Sequence, residues 1–203
     1  MRTEILSTAD PQAVRRALEI LHIGGLIAFP TDTAYGLAAE LHSPQGILRL
    51  YEAKGRDESK AIPVLIGSVE QLVQVTDGLS GRASLLAARY WPGALTLVVP
   101  RRPDLPNELS ELPTVGVRMP DHPFALELLR ASGPLAVTSA NSSGMPSPQT
   151  AEDVLAQLDG RIELVLDGGP CPGGVPSTVV DCTGEELKIL RQGAISAAEI
   201  FKG

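Results

Sequence analysis

The apolar residues of this chain come in short runs. Residues 26–29, 62–66, 95–99 and 162–166 are stretches of four or five mostly apolar residues bounded by turn-forming ones, a length that suits buried strands and not helices. The runs at 115–118, 135–138, 178–181 and 187–191 read the same way. Between them the apolar spacing changes to that of helices. Asp10-Pro11 followed by Val14, Ala17, Leu18 and Leu21 predicts an N-cap, a proline at the first helical position and a stripe ending at Gly24-Gly25. Ser43-Pro44 repeats this logic, carrying Ile47, Leu48, Leu50 and Tyr51 toward Lys54-Gly55. Further helices are expected at 68–75 and 80–90, from Asp121 as cap to Ser132, from Thr150 with Asp153, and at the end of the chain, where Ser196 and Glu199 have capping-box spacing. Strands and helices mix without strict alternation. The fold class is therefore α/β, with a twisted mixed sheet flanked by helices.

Size and charge narrow the classes further. At 203 residues one domain covering 1–203 is expected, able to bury roughly 70% of its unfolded surface without staples. Cys171 and Cys182 have no CxxC spacing, and His22, His42 and His122 stand far apart, so no metal-ligand pattern is present. The start of the chain lacks the apolar core of a signal peptide, and no apolar run approaches the length of a membrane span. A cytoplasmic protein with no membrane partner is the expectation. A net charge of −7 with 3% aromatic residues argues against non-specific adhesion to nucleic acid and against extended base-stacking platforms.

Four polar loops adjoin the strands: PTDTAYG, KGRDESK, TSANSSGMPS and VPSTVVD. Loops at strand ends are where α/β proteins hold ligands. The phosphate-binding P-loop, the dinucleotide glycine fingerprint, the nucleophile elbow and the paired-histidine zinc motif are all missing. What remains is cationic. Lys54 and Arg56, two apart beyond a helix end, would share one side of an extended segment. Arg118 and Arg191 each end a strand, and no carboxylate partner is evident for any of the four. An anionic ligand such as phosphate fits them, and a solvated pair at a helix terminus is the alternative for Lys54 and Arg56. Ser139 and Asn141 suit either oxygen binding or a turn that satisfies its own backbone. A nucleophilic Ser139 lacks a base. Tyr35 reads as a core aromatic with a tethered hydroxyl, His122 as structural and Cys182 as a core residue on a strand. Asp32 is open between loop acid and metal-facing acid.

The motifs PTDTAYGL, KGR with Lys60, WPGALT, VGVRMPDHP, TSANSSG, PSTVVD and ILRQG, in that order over residues 5–200, resemble the YrdC/Sua5 family of L-threonylcarbamoyladenylate synthases, in its short, YrdC-type form. The resemblance implies a YrdC-like fold with a concave basic cleft. It also implies a nucleotidyltransferase that makes threonylcarbamoyl-AMP and pyrophosphate from L-threonine, bicarbonate and ATP, with Mg²⁺ accompanying the ATP, toward threonylcarbamoyladenosine (t6A) at tRNA position 37. By motif position Thr33, Arg118, Val137 and Ser177 match the family's threonine pocket. Lys54, Arg56, Lys60, Thr114, Ser139, Asn141, Ser147 and Arg191 match its nucleotide contacts, Lys54 and Arg56 also being the catalytic cations. Asp57 stands where the family usually has proline, and Lys60-Ala61-Ile62 where it has KPL. Partners implied are tRNA or proteins of the t6A machinery. An RNA-binding module or a non-catalytic partner in a tRNA-modification assembly are the competing classes.

Overall fold

A computed structural model describes residues 2–202. Its helices are α1 (Ala13–His22), α2 (Pro44–Lys54), α3 (Gly81–Tyr90), α4 (Pro123–Ser132), α5 (Ala151–Leu158) and α6 (Ala197–Ile200). In α1 the buried residues are Ala13, Ala17, Ile20 and Leu21, one face at the spacing of a helix. The expected cap at Asp10 is corrected. Its Oδ1 accepts the Gln12 N–H at 2.8 Å and its carbonyl the Ala13 N–H at 2.9 Å, so Asp10-Pro11 closes a turn ahead of the helix. The start of α2 is as expected: Ser43 Oγ accepts the Gly46 N–H at 3.1 Å, Pro44 occupies the first turn, and Gly55 at φ 58 ends the helix because a left-handed residue without Cβ costs least there. The cap of α4 is His122 and not Asp121, its Nδ1 accepting from the Ala125 N–H at 3.4 Å. Burial holds this imidazole below its ordinary value, which favours the neutral form that can accept. Residues expected to be helical at 68–75 form a 3₁₀ segment, Val69–Gln74.

The strands are β1 (Glu4–Ser7), β2 (Ile27–Phe29), β3 (Gly36–Glu40), β4 (Val64–Leu65), β5 (Leu95–Pro100), β6 (Thr114–Arg118), β7 (Leu135–Ser139), β8 (Leu164–Asp167), β9 (Thr178–Asp181) and β10 (Lys188–Arg191). They make one sheet in the order β1-β8-β2-β3-β7-β4-β6-β5-β9-β10. The sheet is mixed: β1 and β8, β8 and β2, β4 and β6, and β5 and β9 run parallel, the remaining neighbours antiparallel. Two strands escape sequence reasoning. GLAAE in β3 is poor in β-branched residues, yet it lies between β2 and β7 and pairs with both. β1 is an edge strand of four residues. Cys182 lies one residue beyond β9 and is buried.

Alternation along the strands separates two cores. Leu37, Ala39, Val64, Leu97, Val115, Val117, Ala136 and Val180 point to one face and pack with residues of α2, α3, α5 and α6. Ile27, Phe29, Ala38, Leu135 and Leu164 point to the other, against Ala17 and Leu21 of α1 and Ala125, Leu128 and Leu129 of α4. Those two helices cover the β8-β2-β3-β7 half of that face. The same-face residues of β6, β5 and β9 (Gly116, Arg118, Thr96, Val98 and Val179) instead line a cavity. No helix among the described residues is long and apolar enough to cross a membrane. Because Ser43 closes the first turn of the helix that delivers Lys54, Ser43→Ala is expected to lower stability by about 1 kcal/mol, read as a shifted urea midpoint at constant m-value.

Candidate functional site

The cavity measures about 370 Å³. Its floor is the uncovered sheet face and the adjoining ends of β3 and β7, where glycine makes room: a Cβ on Gly36 would lie 2.8 Å from Val137 Cγ1, and one on Gly116 3.1 Å from Thr96 Cγ2. Its walls are three loops. Residues 30–35 connect β2 to β3, 140–150 connect β7 to α5, and 168–177 connect β8 to β9. They brace one another through Tyr35 N–H to Pro148 O (3.0 Å), Cys171 N–H to Gln149 O (2.8 Å) and Gly174 N–H to Thr33 O (3.1 Å). Tyr35 is buried, donating its hydroxyl to Gly169 O at 2.8 Å and accepting the Gly168 N–H at 3.2 Å. Burial raises its pKa far above the ordinary phenol value. It is the tethered core aromatic, and it ties the first loop to the third.

Of the residues singled out from sequence, Thr33, Arg56, Arg118, Val137, Ser139, Ser147, Ser177 and Arg191 line the cavity. Among the described residues the lining holds three arginines and no carboxylate. Arg118 nevertheless has an acidic partner, correcting the reading of four cations without one. Its Nη2 is paired with Asp32 Oδ1, its Nη1 donates to Thr33 Oγ1 at 2.9 Å and its Nε to Gly93 O at 3.0 Å. Burial lowers its pKa while Asp32 opposes that shift. Arg191 donates from Nη2 to Ser177 O at 2.9 Å and Ser177 Oγ at 3.0 Å. Ser177 Oγ in turn lies 2.8 Å from Thr96 Oγ1.

Lys54 and Arg56 diverge instead of sharing one side, because Lys54 is the last residue of α2 and Gly55 turns left-handed between them. Lys54 is 3% exposed and does not line the cavity. Its Nζ donates to the carbonyls of Ser139 and Asn141, with Asn141 Oδ1 at 3.4 Å, so it anchors the second loop from behind. Asn141 is spent on that loop too, accepting from Ser139 Oγ and donating to Ser142 O at 2.9 Å and Met145 O at 2.7 Å. The self-satisfying turn and the cavity-facing serine thus coexist in one motif. Arg56 does reach the cavity. Its Nη2 donates to Ala61 O at 3.2 Å, while its buried Nε has no partner among the described residues. Lys60 is exposed, and Thr114 shares the cavity face of β6 with Gly116 and Arg118 but is not part of the lining. Asp57 Oδ1 accepts the Ser59 N–H at 2.9 Å, closing a turn at the position where the family usually has proline.

Sequence reasoning missed Thr31 and Thr96. Thr31 Oγ1 donates to Ala34 O at 2.6 Å and accepts the Thr33 N–H at 3.2 Å, holding Thr33 toward Arg118. The signal for Thr96 was its place two residues before Val98 on a strand facing the cavity. Reading 95–99 as one mostly apolar run concealed that alternation.

A mixed α/β protein with an arginine-lined cavity on a half-covered sheet is what the fold and the site define. The family model Sua5_yciO_yrdC, described as "Telomere recombination", matches residues 19–193, and the chain belongs to this family. It is 45% identical over 201 residues to a Bacillus subtilis protein named threonylcarbamoyl-AMP synthase, which covers 98% of this chain and 58% of the relative. The structure of Pyrococcus abyssi Sua5 complexed with L-threonine superimposes with a TM-score of 0.89 at 42% identity, over 92% of this chain and 56% of that one. Escherichia coli YciO shares the fold at a TM-score of 0.86 and 24% identity, each chain covered to 98%. The chain thus spans a little over half the length of its B. subtilis and P. abyssi relatives.

Burial brings the Lys54 ammonium down to about 8, and the nearby Arg56 charge pushes the same way. With the folded value below the unfolded one of 10.5, the unfolded chain binds more protons between about pH 8 and 10.5, so this group's contribution to stability rises with pH across that window. Lys54→Met is expected to remove that rise. Urea unfolding of both proteins at pH 7 and 9.5 measures it as a wild-type-minus-variant difference that grows at the higher pH.

Proposed function

We propose that this chain is an L-threonylcarbamoyladenylate synthase, forming threonylcarbamoyl-AMP and pyrophosphate from L-threonine, bicarbonate and ATP for t6A modification of tRNA. The observation that carries this reading is the cavity itself. Thr33, Arg118, Val137 and Ser177 line one site together with Arg56, Arg191, Ser139 and Ser147. The names of the relatives and the L-threonine in the P. abyssi complex support it.

The chemistry needs no enzyme nucleophile. The ammonium group of threonine gives up a proton, and the resulting amine takes up the carbon of bicarbonate to give a carbamate and water. A carbamate oxygen then attacks the α-phosphorus of ATP and the bond to pyrophosphate breaks. The protein's tasks are to hold the two reactants in line and to neutralise phosphate charge. Arg118, with two N–H groups left over, grips the threonine carboxylate. Thr33 and Ser177 present hydroxyls beside it, and a site built to hydrogen-bond a substrate hydroxyl discriminates strongly against analogues lacking it. Arg56 and Arg191 face the phosphates. Lys54 acts through the loop it anchors, setting the Ser139 carbonyl and hydroxyl. Mg²⁺ enters on the triphosphate as part of the substrate, since the cavity lining supplies cations and hydroxyls and not carboxylate ligands.

The test is pyrophosphate release from ATP that requires both L-threonine and bicarbonate; release that ignores threonine would overturn the reading. Each charge-assisted hydrogen bond lost from such a site costs about 1.5 to 3 kcal/mol, or roughly 10- to 150-fold. Arg56→Ala is therefore expected to reduce threonine-dependent turnover by about that factor while its circular dichroism and melting stay those of the wild type. Wild-type turnover in that variant would remove Arg56 from the machinery.

A further inference from the structure

We infer that Asp32 is a positioning residue that sets how Arg118 presents itself to the substrate carboxylate, an inference that rests on the reading of Arg118 given above. A guanidinium has five N–H donors. Three are already engaged: Nε with Gly93 O at 3.0 Å, Nη1 with Thr33 Oγ1 at 2.9 Å and Nη2 with Asp32 Oδ1. One N–H remains on each terminal nitrogen, a two-donor set that matches the two oxygens of a carboxylate. Arg118 lines the cavity and Asp32 does not, so the acid holds the guanidinium from behind without occupying the ligand's place.

The holder is itself held. A Cβ on Gly173 would lie 2.4 Å from Asp32 O, so this glycine lets the third loop pack directly on the Asp32 backbone. The Gly174 N–H then binds Thr33 O at 3.1 Å. Side chains of Asp32 and Arg118 are 14% and 8% exposed, which leaves little room for either to turn away. Charge adds a second requirement. Arg191 lies close enough to push Arg118 downward in pKa, and a buried cation with a second cation nearby is costly unless a counter-charge stays with it.

Removing Asp32 has two opposed effects. It leaves Arg118 with more net positive charge, which alone would tighten carboxylate binding, and it removes one of the three bonds that fix the guanidinium, leaving those to Gly93 O and Thr33 Oγ1. Losing the charged one of the three makes orientation the larger effect. Asp32→Ala is expected to raise the KM for L-threonine by about 10- to 100-fold, with kcat at saturating threonine within about threefold of wild type and the KM for ATP unmoved. Asp32→Asn keeps an acceptor oxygen for Nη2 without the charge, and should recover most of the lost affinity. Direct calorimetric binding of L-threonine to each protein gives the same comparison without turnover. An unchanged or lower KM and Kd in folded Asp32→Ala overturns the inference, as does an Asn variant no better than Ala. If Ala does not fold, a KM for threonine raised about 3- to 10-fold in the folded Asn variant supports it, and one equal to wild type overturns it. Wild-type protein that binds threonine but releases no pyrophosphate fails the synthase reading alone, while active wild type with unaffected variants fails the Asp32 inference alone.

Discussion

A sheet of ten strands has two faces to cover, and α1 and α4 cover only half of one of them. On the other face, strand residues pack against α2, α3, α5 and α6 into a continuous apolar core. The uncovered half must be solvated, filled by its own side chains, or occupied by a ligand. The residues found there are of the second and third kinds: Thr96, Gly116, Arg118 and Val179 make a surface that is polar where it is charged and small where space is needed. The three loops that wall the site leave from β2, β7 and β8 in the covered half, and the third runs on into β9 on the bare side.

Charge beside a ligand cavity needs partners, and the molecule meets this need differently for each cation. Arg118 is neutralised by Asp32. Lys54 is surrounded by the carbonyl oxygens of Ser139 and Asn141, so its charge organises backbone that itself borders the cavity. Arg191 is bonded to Ser177. Arg56 is the least satisfied of the four, with a buried Nε lacking a partner among the described residues. The three arginines of the lining each keep N–H donors free of protein partners, whereas Lys54 lies outside the lining and holds the second loop.

Much of this was legible along the chain. The α2 boundaries follow from Ser43-Pro44 and Lys54-Gly55, because capping and left-handed glycine are local chemistry. The four polar loops were visible by composition, and three of them wall the cavity. Other features failed for physical reasons. β3 is stabilised by pairing on both sides and not by its own side chains, so GLAAE gave little strand signal. The cap of α4 shifted from Asp121 to His122 because which side chain reaches the first turn depends on the path of the incoming backbone. The side on which Lys54 points could not be read from a two-residue spacing once Gly55 reversed the chain between the cations.

The amino-acid order alone determined that the chain forms a mixed α/β fold with cationic, hydroxyl-rich loops, because strand length, helical spacing, caps and turn residues act over a few residues. Tertiary structure decided the identity of partners: Asp32 with Arg118, Lys54 beneath residues 139–141, and Thr96 beside Ser177 are separated by 86, 85 or 87, and 81 positions. Which groups meet over such distances depends on strand order and on which half of a sheet face the helices leave bare. In PTDTAYG the threonines and the acid were plainly polar, but only the packed sheet could show that Asp32 faces an arginine and Tyr35 a loop.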